Sequence, residues 1–285
     1  MLLHTFCHIP GLGEKTEAKL WKEGITTWNE ALINPDLGKI LPSSLYQTTL
    51  FYLDKSWEKL EKGEVSFFDH LLPACEKWRL FPQFRESTVF LDIETTGLRP
   101  PDDALTVVTL YDGNRIRTYI NGLNLEDFIK DIMDYQIIVT FNGKKFDLPF
   151  IEKYFGVRLP QAHLDLRFLL RSLGYRGGLK ACEQAIGIRR GILKGIDGYG
   201  AVLLWQRYLE GCPEALETLI AYNVADTVNL EKLAVFAYNQ KLKNLPFIQS
   251  PLPEPRKKIL APYHPRPEII REITLERLRS PSNLV

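Results

Sequence analysis

Two carboxylates lie one residue apart at the end of an apolar segment, in VFLDIETTGL at residues 89–98. Successive side chains of a strand point to opposite faces, so Asp92 and Glu94 would project together, opposite Val89, Leu91 and Ile93. Such close like charges repel unless a cation lies between them, and hard divalent cations prefer oxygen ligands. The pattern indicates either a metal site or the acidic end of an exposed edge strand.

Asp147 is a further carboxylate in an apolar setting, within FNGKKFDLPF at residues 141–150. Asn142 follows a predicted strand, and Asp147 falls in the first turns of the next helix, between Phe146 and Leu148. The helix dipole favours an acid at this position. Asp147 is therefore either part of the same polar site or a residue that stabilises the start of a helix.

A late helix carries one carboxylate on an otherwise apolar face. The residues of that face recur at helical spacing and are Leu219, Tyr222, Asp226, Leu230 and Leu233. A buried carboxylate without a partner costs several kcal/mol, so Asp226 should be paired, hydrogen-bonded or bound to a metal. Tyr222 lies one turn earlier and reaches the same pocket.

The elements that position these residues predict an α/β fold. Residues 1–85 have helical patterns, the longest at 41–62, and β-branched segments follow at 88–93, 104–111, 115–120 and 137–141. The first three segments are separated by short turns, which predicts an antiparallel meander. Later segments alternate helix and strand, and residues 164–242 are mostly helical. We therefore expect a mixed sheet flanked by helices, with a small N-terminal helical region.

We divide the chain into a helical region at 1–85, an α/β domain at 86–244 and a proline-rich basic tail at 245–285. The prolines predict that the tail forms no helix and joins no sheet. The tail is either an arm packed on its own protein or disordered, or a basic arm that contacts phosphate through Arg256, Lys257 and Lys258.

The N-terminal segment contains Pro10-Gly11-Leu12-Gly13 directly before a predicted helix. It resembles the hairpin of helix-hairpin-helix modules, in which glycines let backbone N–H groups approach a phosphate. Only nine residues precede Pro10, so a tight turn leading into a packing helix is the alternative. Phosphate binding by Gly11 and Gly13 would favour DNA over RNA.

The composition is that of a soluble globular protein, with 45% apolar and 25% charged residues in 285. The net charge of +1 neither requires nor excludes a nucleic-acid partner. No apolar segment approaches the roughly 20 residues of a membrane span, and the N-terminus lacks a signal-peptide pattern. Four scattered cysteines are typical of reduced thiols, which predicts a cytoplasmic protein.

Together, D-x-E at residues 92–94, N-x-x-x-F-D at 142–147 and Y-x-x-x-D at 222–226 resemble the three exonuclease motifs of the DEDD superfamily, which has a ribonuclease H-like fold. Tyr222 points to the DEDDy branch, since the histidine branch would place its His where this chain has Ala221. The segments GGLKACEQAIGI and DGYGAVLLWQRYLEG are similar to the YprB-like exonuclease domain. The resemblance covers about residues 87–242.

The resemblance implies that four carboxylates hold two Mg²⁺ or Mn²⁺ ions. Asp92 would bridge the ions, Glu94 and Asp226 would complete the first site, and Asp147 the second. Tyr222 and Glu94 would orient the attacking water. The residues expected to contact the substrate are Thr95, Thr96, Gly97, Leu98 and Asn142, with Leu98 alternatively a core residue.

The function that this implies is 3′–5′ exonuclease activity on single-stranded or unwound DNA, in DNA repair or processing, with a helicase partner expected by family analogy. The alternatives are a structure-specific endonuclease of the same fold and a nucleic-acid-binding protein without catalysis. Arg189, Arg190 and Lys194 would either follow the phosphate backbone or lie in a solvated loop. We expect Asp165 to be a helix N-cap or a hydrogen-bonding neighbour of the site rather than a ligand.

Overall fold

The computed structural model describes residues 1–100, 102–253, 255 and 263–279. In this part of the chain, five strands form a mixed sheet in the order β3-β2-β1-β4-β5. The strands are β1 (Thr88–Thr95), β2 (Leu105–Tyr111), β3 (Ile116–Ile120), β4 (Ile137–Thr140) and β5 (Ala162–Asp165). The first three pair antiparallel, whereas β1–β4 and β4–β5 pair parallel. The predicted α/β fold, a mixed sheet that begins with an antiparallel meander, is confirmed.

Helices lie on both faces of this sheet and in the N-terminal region. They are α1 (Glu14–Lys22), α2 (Trp28–Ile33), α3 (Leu37–Ile40), α4 (Ser43–Glu61), α5 (Val65–Leu71), α6 (Asp127–Ile132), α7 (Asp147–Phe155), α8 (Leu166–Ser172), α9 (Leu179–Ile186), α10 (Gly198–Leu209), α11 (Pro213–Leu242) and α12 (Pro267–Arg279). Among the described residues, none of these helices has the length and apolar character needed to cross a membrane.

Strand β1 is central and is covered on both faces. Val89 and Leu91 are fully buried with Phe128 of α6 and Phe150 of α7 on one side of the sheet. Phe90, on the other side, belongs to the hydrophobic cluster that includes Leu230 of α11. The strand is hydrogen-bonded on both edges, so the prediction of an exposed edge strand is wrong. Any polar group at its end must find partners within the protein.

The sheet and helix α11 bring distant parts of the chain to one edge. Because β1 and β4 are parallel, their carboxyl ends meet at that edge, where α7 begins shortly after β4. Helix α11 packs across β1 and β2 on the face of Phe90. Asp92 and Glu94 share this face by strand alternation, and it is the face that α11 covers.

The N-terminal region shares its core with the sheet. Phe6, Trp28 and Phe68 are fully buried in the same hydrophobic cluster as Phe90 and Leu230. The division at residue 85 therefore describes where the secondary structure changes, while apolar packing continues across it. Whether residues 86–244 act as a separate domain stays a prediction.

A buried ion-pair network joins the N-terminal turn to the rest of this region. Arg79 Nη1 lies 2.7 Å from Glu17 Oε1 and donates to Thr5 Oγ1 at 2.6 Å. Glu17 also accepts the backbone N–H groups of Phe6 at 2.6 Å and Cys7 at 3.2 Å. The Glu17 and Arg79 side chains are 1% and 5% exposed. Removing one partner from a buried ion pair destabilises a protein strongly, because the other charge is left buried without compensation.

The tail contains a helix, α12, which the sequence analysis did not predict. Pro267 is its first residue, where a missing N–H group costs nothing. Ile270 and Ile273 are buried in the cluster that includes residues of α10, and Arg207 of α10 forms ion pairs with Glu272 and Glu276. The prediction of a tail without helix is therefore wrong at 267–279. The basic residues 256–258 lie outside the described residues.

Candidate active site

Three carboxylates converge at the edge of the sheet. Oxygen atoms of Asp92, Glu94 and Asp226 all lie within 4.8 Å of one another. The first two come from the end of β1 and the third from α11, more than a hundred positions later. Glu94 is 9% exposed, Asp226 is 6% exposed and Asp92 is half-buried, so water reaches the cluster mainly at Asp92. We refer to these three residues as the carboxylate cluster.

Asp147 lies beside the carboxylate cluster without belonging to the group of three. It is the first residue of α7 and is 4% exposed. Its negative charge contributes to raising the pKa of both Asp92 and Glu94. Asp147 therefore begins a helix, as one interpretation predicts, and its part in the same metal site stays a prediction.

The electrostatics of these four groups favour a bound cation. Burial, followed by the charges of neighbouring carboxylates, raises the pKa of Asp92 and of Glu94 well above the ordinary range. Burial also raises the pKa of Asp147 to about 7, and that of Asp226 to about 6 against the opposing effect of Arg190. The raised pKa values mean that the ionised carboxylates are unfavourable without a nearby positive charge. A set of oxygen ligands of this kind is suited to a hard divalent cation such as Mg²⁺ or Mn²⁺.

Tyr222 lies next to the carboxylate cluster, one turn before Asp226 on α11. It is 4% exposed, and burial together with the charges of Asp226 and Glu94 raises its pKa far above the ordinary range. The hydroxyl is therefore protonated and available as a hydrogen-bond donor. The Lys180 Nζ lies 4.9 Å from the centre of its ring, which places a cation on the face of the aromatic ring.

Arg190, expected either to follow the phosphate backbone or to lie in a solvated loop, contacts the carboxylate cluster, which the sequence did not predict. Its Nη1 donates to Asp226 Oδ1, and its Nε donates to Glu183 Oε2. The side chain is only 4% exposed, so the prediction of a solvated loop is wrong for Arg190. An arginine in a glycine-rich loop, next to another arginine, gives no signal in the sequence that its side chain is buried.

Asn223 is a second member of the site that the sequence analysis missed. Its Nδ2 donates to Asp92 Oδ2 at 2.8 Å, and its side chain also lowers the pKa of Glu94 through a hydrogen bond. The available signal was its spacing, because Asn223 precedes Asp226 by three residues and therefore lies on the same side of α11. The amide fixes the orientation of the two carboxylates of β1.

The turn after β1 is fixed by its own hydrogen bonds. Thr96 exchanges two bonds with Ala104, at 2.9 and 2.8 Å. A Cβ on Gly97 would lie 2.3 Å from Asp103 Oδ1, so a larger residue there would displace the Asp103 carboxylate from its hydrogen bond with the Arg99 backbone N–H. Leu98 is 78% exposed, and the prediction of a core residue is therefore wrong. Contact of Thr95, Thr96, Gly97 and Leu98 with a substrate stays a prediction.

Asp165, the last residue of β5, holds the loop between β4 and α7, which contains Asn142. Asn142 has a φ of 70°, and its backbone N–H donates to Asp165 Oδ1 at 2.8 Å. Asp165 also accepts from the backbone N–H of Lys144 and caps α8 through that of Arg167. The prediction that Asp165 is an N-cap is confirmed. This loop sets the position at which α7, and with it Asp147, begins.

The N-terminal glycines form a tight turn. Gly11 has a φ of 85°, and Gly13 is the N-cap of α1. Before this turn the structure has only a 3₁₀ helix, at Leu2–His4, within the otherwise irregular first 13 residues. The α-helix that should precede the hairpin of a helix-hairpin-helix module is thus missing from these residues. Phosphate binding by Gly11 and Gly13 stays a prediction.

We expect Mn²⁺ binding to strengthen as the pH rises, because the ion must replace protons on Asp147 and Asp226. Their pKa values of about 7 and about 6 predict a gain in affinity of up to about a hundredfold per pH unit below about pH 6, where both protons must leave, and of about tenfold per unit between about pH 6 and about pH 7. Titration of Mn²⁺ followed by electron paramagnetic resonance would measure this change. Binding that is equally tight at about pH 5.5 and about pH 7.5 would contradict the assignment.

The same groups predict the opposite trend for stability without metal. A carboxyl group whose pKa is raised by folding binds more protons in the folded state, so its contribution to stability falls as the pH rises through the folded pKa. For both groups the loss begins near the ordinary pKa of 3.8, and it ends at about pH 6 for Asp226 and at about pH 7 for Asp147. Melting curves with EDTA should record the decline, and added Mn²⁺ should reverse it.

The sequence itself matches one protein family. A family model described as RNase_H superfamily aligns with residues 89–238, more than half of the chain. The chain belongs to the RNase_H superfamily. The matched region contains the carboxylate cluster, Asp147 and Tyr222, and the predicted ribonuclease H-like fold is confirmed. A search of curated protein sequences found no significant match.

Solved structures with similarity to this member of the RNase_H superfamily are distant. A family B DNA polymerase from the hyperthermophilic archaeon Pyrobaculum calidifontis is 17% identical over 55% of this chain and 24% of its own, with a TM-score of 0.41. Brucella melitensis NrnC bound to pGG is 20% identical over 64% of this chain and 93% of its own, with a TM-score of 0.31. The NrnC structure with bound Mg²⁺ is 18% identical and also has a TM-score of 0.31. The family assignment therefore rests on the sequence match.

Proposed function

We propose that this protein is a metal-dependent 3′–5′ exonuclease that hydrolyses phosphodiester bonds of single-stranded or unwound DNA. The observation that carries the proposal is the convergence of Asp92, Glu94 and Asp226 within 4.8 Å, with Tyr222 one turn away on α11. These residues come from separate elements, and folding brings them together despite their mutual repulsion. Membership of the RNase_H superfamily supports a nuclease.

The proposed roles follow from the position of each side chain. Asp92, Glu94 and Asp226 would hold one divalent ion, and Asp92 with Asp147 a second. When bound, Mg²⁺ or Mn²⁺ ions activate water and neutralise charge on the phosphodiester. Tyr222 remains a hydrogen-bond donor at neutral pH, so together with Glu94 it would orient the attacking water.

The DEDDy assignment, the DNA preference and the biological setting belong to the same proposal. Thr95, Thr96, Gly97 and Leu98 form the turn beside the carboxylates, where they would contact the 3′-terminal nucleotide. Asn142, at the base of the α7 loop, would contact the same strand. Gly11 and Gly13 would bind a phosphate farther along DNA. We place this activity in DNA repair or processing in the cytoplasm, with a helicase as a partner.

A digestion panel tests the proposal. Single-stranded DNA and RNA of one sequence, labelled at either end, and circular single-stranded DNA would be incubated with Mn²⁺ or with EDTA. We expect a ladder of shortened products from 5′-labelled DNA, released mononucleotide from 3′-labelled DNA, and intact circles. Cleavage of circles would indicate an endonuclease, and binding without shortening would indicate a non-catalytic protein.

A further inference from the structure

Arg190 is held from one side by a chain of buried polar residues. Asn229 Nδ2 on α11 donates to Glu183 Oε1 at 2.9 Å, and Glu183 Oε2 accepts from Arg190 Nε. Glu183 is 1% exposed, and Asn229 is 7% exposed. Neither residue touches the carboxylate cluster directly. Their arrangement fixes the Nε edge of the guanidinium, while Nη1 reaches Asp226 of the carboxylate cluster.

The two Nη groups of Arg190 differ in their partners. Nη1 donates to Asp226 Oδ1, whereas Nη2 is buried and has no hydrogen-bond partner among the described residues. Burying an N–H donor of a charged group without an acceptor is costly. The Arg190 guanidinium carbon also lies 6.0 Å from the centre of the Tyr222 ring. The unpartnered donor is thus located beside the residues proposed to carry out hydrolysis.

Charge balance indicates which kind of acceptor this donor would bind. Asp92, Glu94, Asp147 and Asp226 face two protein cations, Arg190 and Lys180. Two divalent ions, as proposed above, would balance the four carboxylates, and Glu183 would balance one of the two protein cations, so the other cation would need a further anion. A planar guanidinium with two outward N–H groups matches the geometry of a phosphate.

We propose that Arg190 is a phosphate-binding residue that links metal binding to nucleic-acid binding, an inference that rests on the proposed function. In the free protein the Arg190 guanidinium donates a hydrogen bond to Asp226 and competes with a metal cation for that carboxylate. With a nucleic acid bound, Arg190 donates to a phosphate oxygen, and Asp226 becomes available as a ligand. Glu183 and Asn229 are positioning residues that hold Arg190 in both states.

This exchange makes a prediction about equilibrium binding that does not involve hydrolysis. Mn²⁺ affinity would be measured for the full chain and for Arg190→Gln, with and without thymidine 5′-monophosphate as the phosphate probe. Without the nucleotide, we expect Arg190→Gln to bind Mn²⁺ about 5- to 20-fold more tightly, because the competitor is gone. The nucleotide should tighten Mn²⁺ binding about tenfold in the unaltered protein and less than about threefold in the variant.

The matched control is Arg115→Gln, since Arg115 is an exposed arginine in the turn between β2 and β3 and should behave like the unaltered protein. Should Arg190→Gln fail to fold, Arg190→Lys keeps the charge but cannot contact Glu183 and Asp226 together, and its Mn²⁺ affinity should be intermediate. Unchanged or weaker Mn²⁺ binding by the variants without nucleotide, or undiminished coupling, would overturn the proposal. If no DNA is shortened in the digestion panel, the exonuclease assignment is overturned. The Mn²⁺ affinities still decide whether Arg190 links metal binding to phosphate binding.

Discussion

Replacing Asp92 with asparagine should lower the rate of Mn²⁺-dependent DNA hydrolysis at least about a thousandfold. Asp92 belongs to the carboxylate cluster, and the charge of Asp147 acts on it, so Asp92 is the proposed ligand of both ions. Asparagine keeps the size and can still accept the hydrogen bond from Asn223 Nδ2, while the charge that attracts the ions is removed. Single-turnover digestion of 5′-labelled single-stranded DNA would measure the loss.

The same substitution should stabilise the protein when metal is absent. Burial and the charges of Asp226 and Asp147 raise the pKa of Asp92, so its ionised form is unfavourable in the folded state. We expect Asp92→Asn to raise the free energy of unfolding in EDTA by about 1–2 kcal/mol, a gain typical of relieved repulsion at a functional site. Mn²⁺ should stabilise the unaltered protein much more than the variant.

The control for Asp92→Asn is Asp54→Asn, which removes an exposed carboxylate from α4. It should change neither hydrolysis nor stability measurably. Reduced activity of Asp92→Asn together with reduced stability in EDTA would indicate a damaged fold instead of a lost ligand. Full activity of Asp92→Asn would contradict the proposed site.

Replacing Arg79 with methionine should destabilise the protein by about 3–5 kcal/mol, because it leaves a buried carboxylate without its ion-pair partner. Glu17 would still accept the backbone N–H groups of Phe6 and Cys7, but its charge would lack the guanidinium 2.7 Å away. Arg79 also contacts the faces of Trp21 and Trp78, with 5.5 Å from its guanidinium carbon to each ring centre.

Urea unfolding followed by tryptophan fluorescence would measure the effect of Arg79→Met. The control is Lys62→Met, since Lys62 pairs with Glu58 on the surface of α4 with 56% of its side chain exposed. Exposed ion pairs contribute little to stability, so the urea midpoint of Lys62→Met should equal that of the unaltered protein. An Arg79 variant as stable as the Lys62 variant would show that the buried network is dispensable for folding.

Strand β1 and the residues along it were predictable from local patterns. Alternation along residues 89–94 separates Val89, Leu91 and Ile93 from Asp92 and Glu94, and the structure keeps this division. Strand β5 was missed because its four residues, Ala162–Asp165, are too few to show a period and contain two polar side chains. Helix α12 was missed because a high proline content obscured a helix that begins at Pro267.

Two acidic residues of the site, Asp226 and Asp147, were predictable because a carboxylate among apolar neighbours needs a polar or charged partner. Asp226 interrupts an apolar helix face, and Asp147 lies between large apolar residues, so both required an explanation. Arg190 and Lys180 show no such conflict, because a basic residue near glycines is compatible with a solvated loop. Their location depends on how the segment from α9 to α10 folds back over Tyr222, which is a tertiary property.

The most direct test of this account is the location of bound Mn²⁺ by anomalous X-ray scattering from crystals of the protein soaked in MnCl₂. We predict one anomalous peak among the carboxylates of Asp92, Glu94 and Asp226 and a second between Asp92 and Asp147. Crystals of Asp92→Asn treated in the same way should lose both peaks. If Mn²⁺ binds elsewhere on the protein while these carboxylates have no peak, the proposed metal-dependent exonuclease site is contradicted.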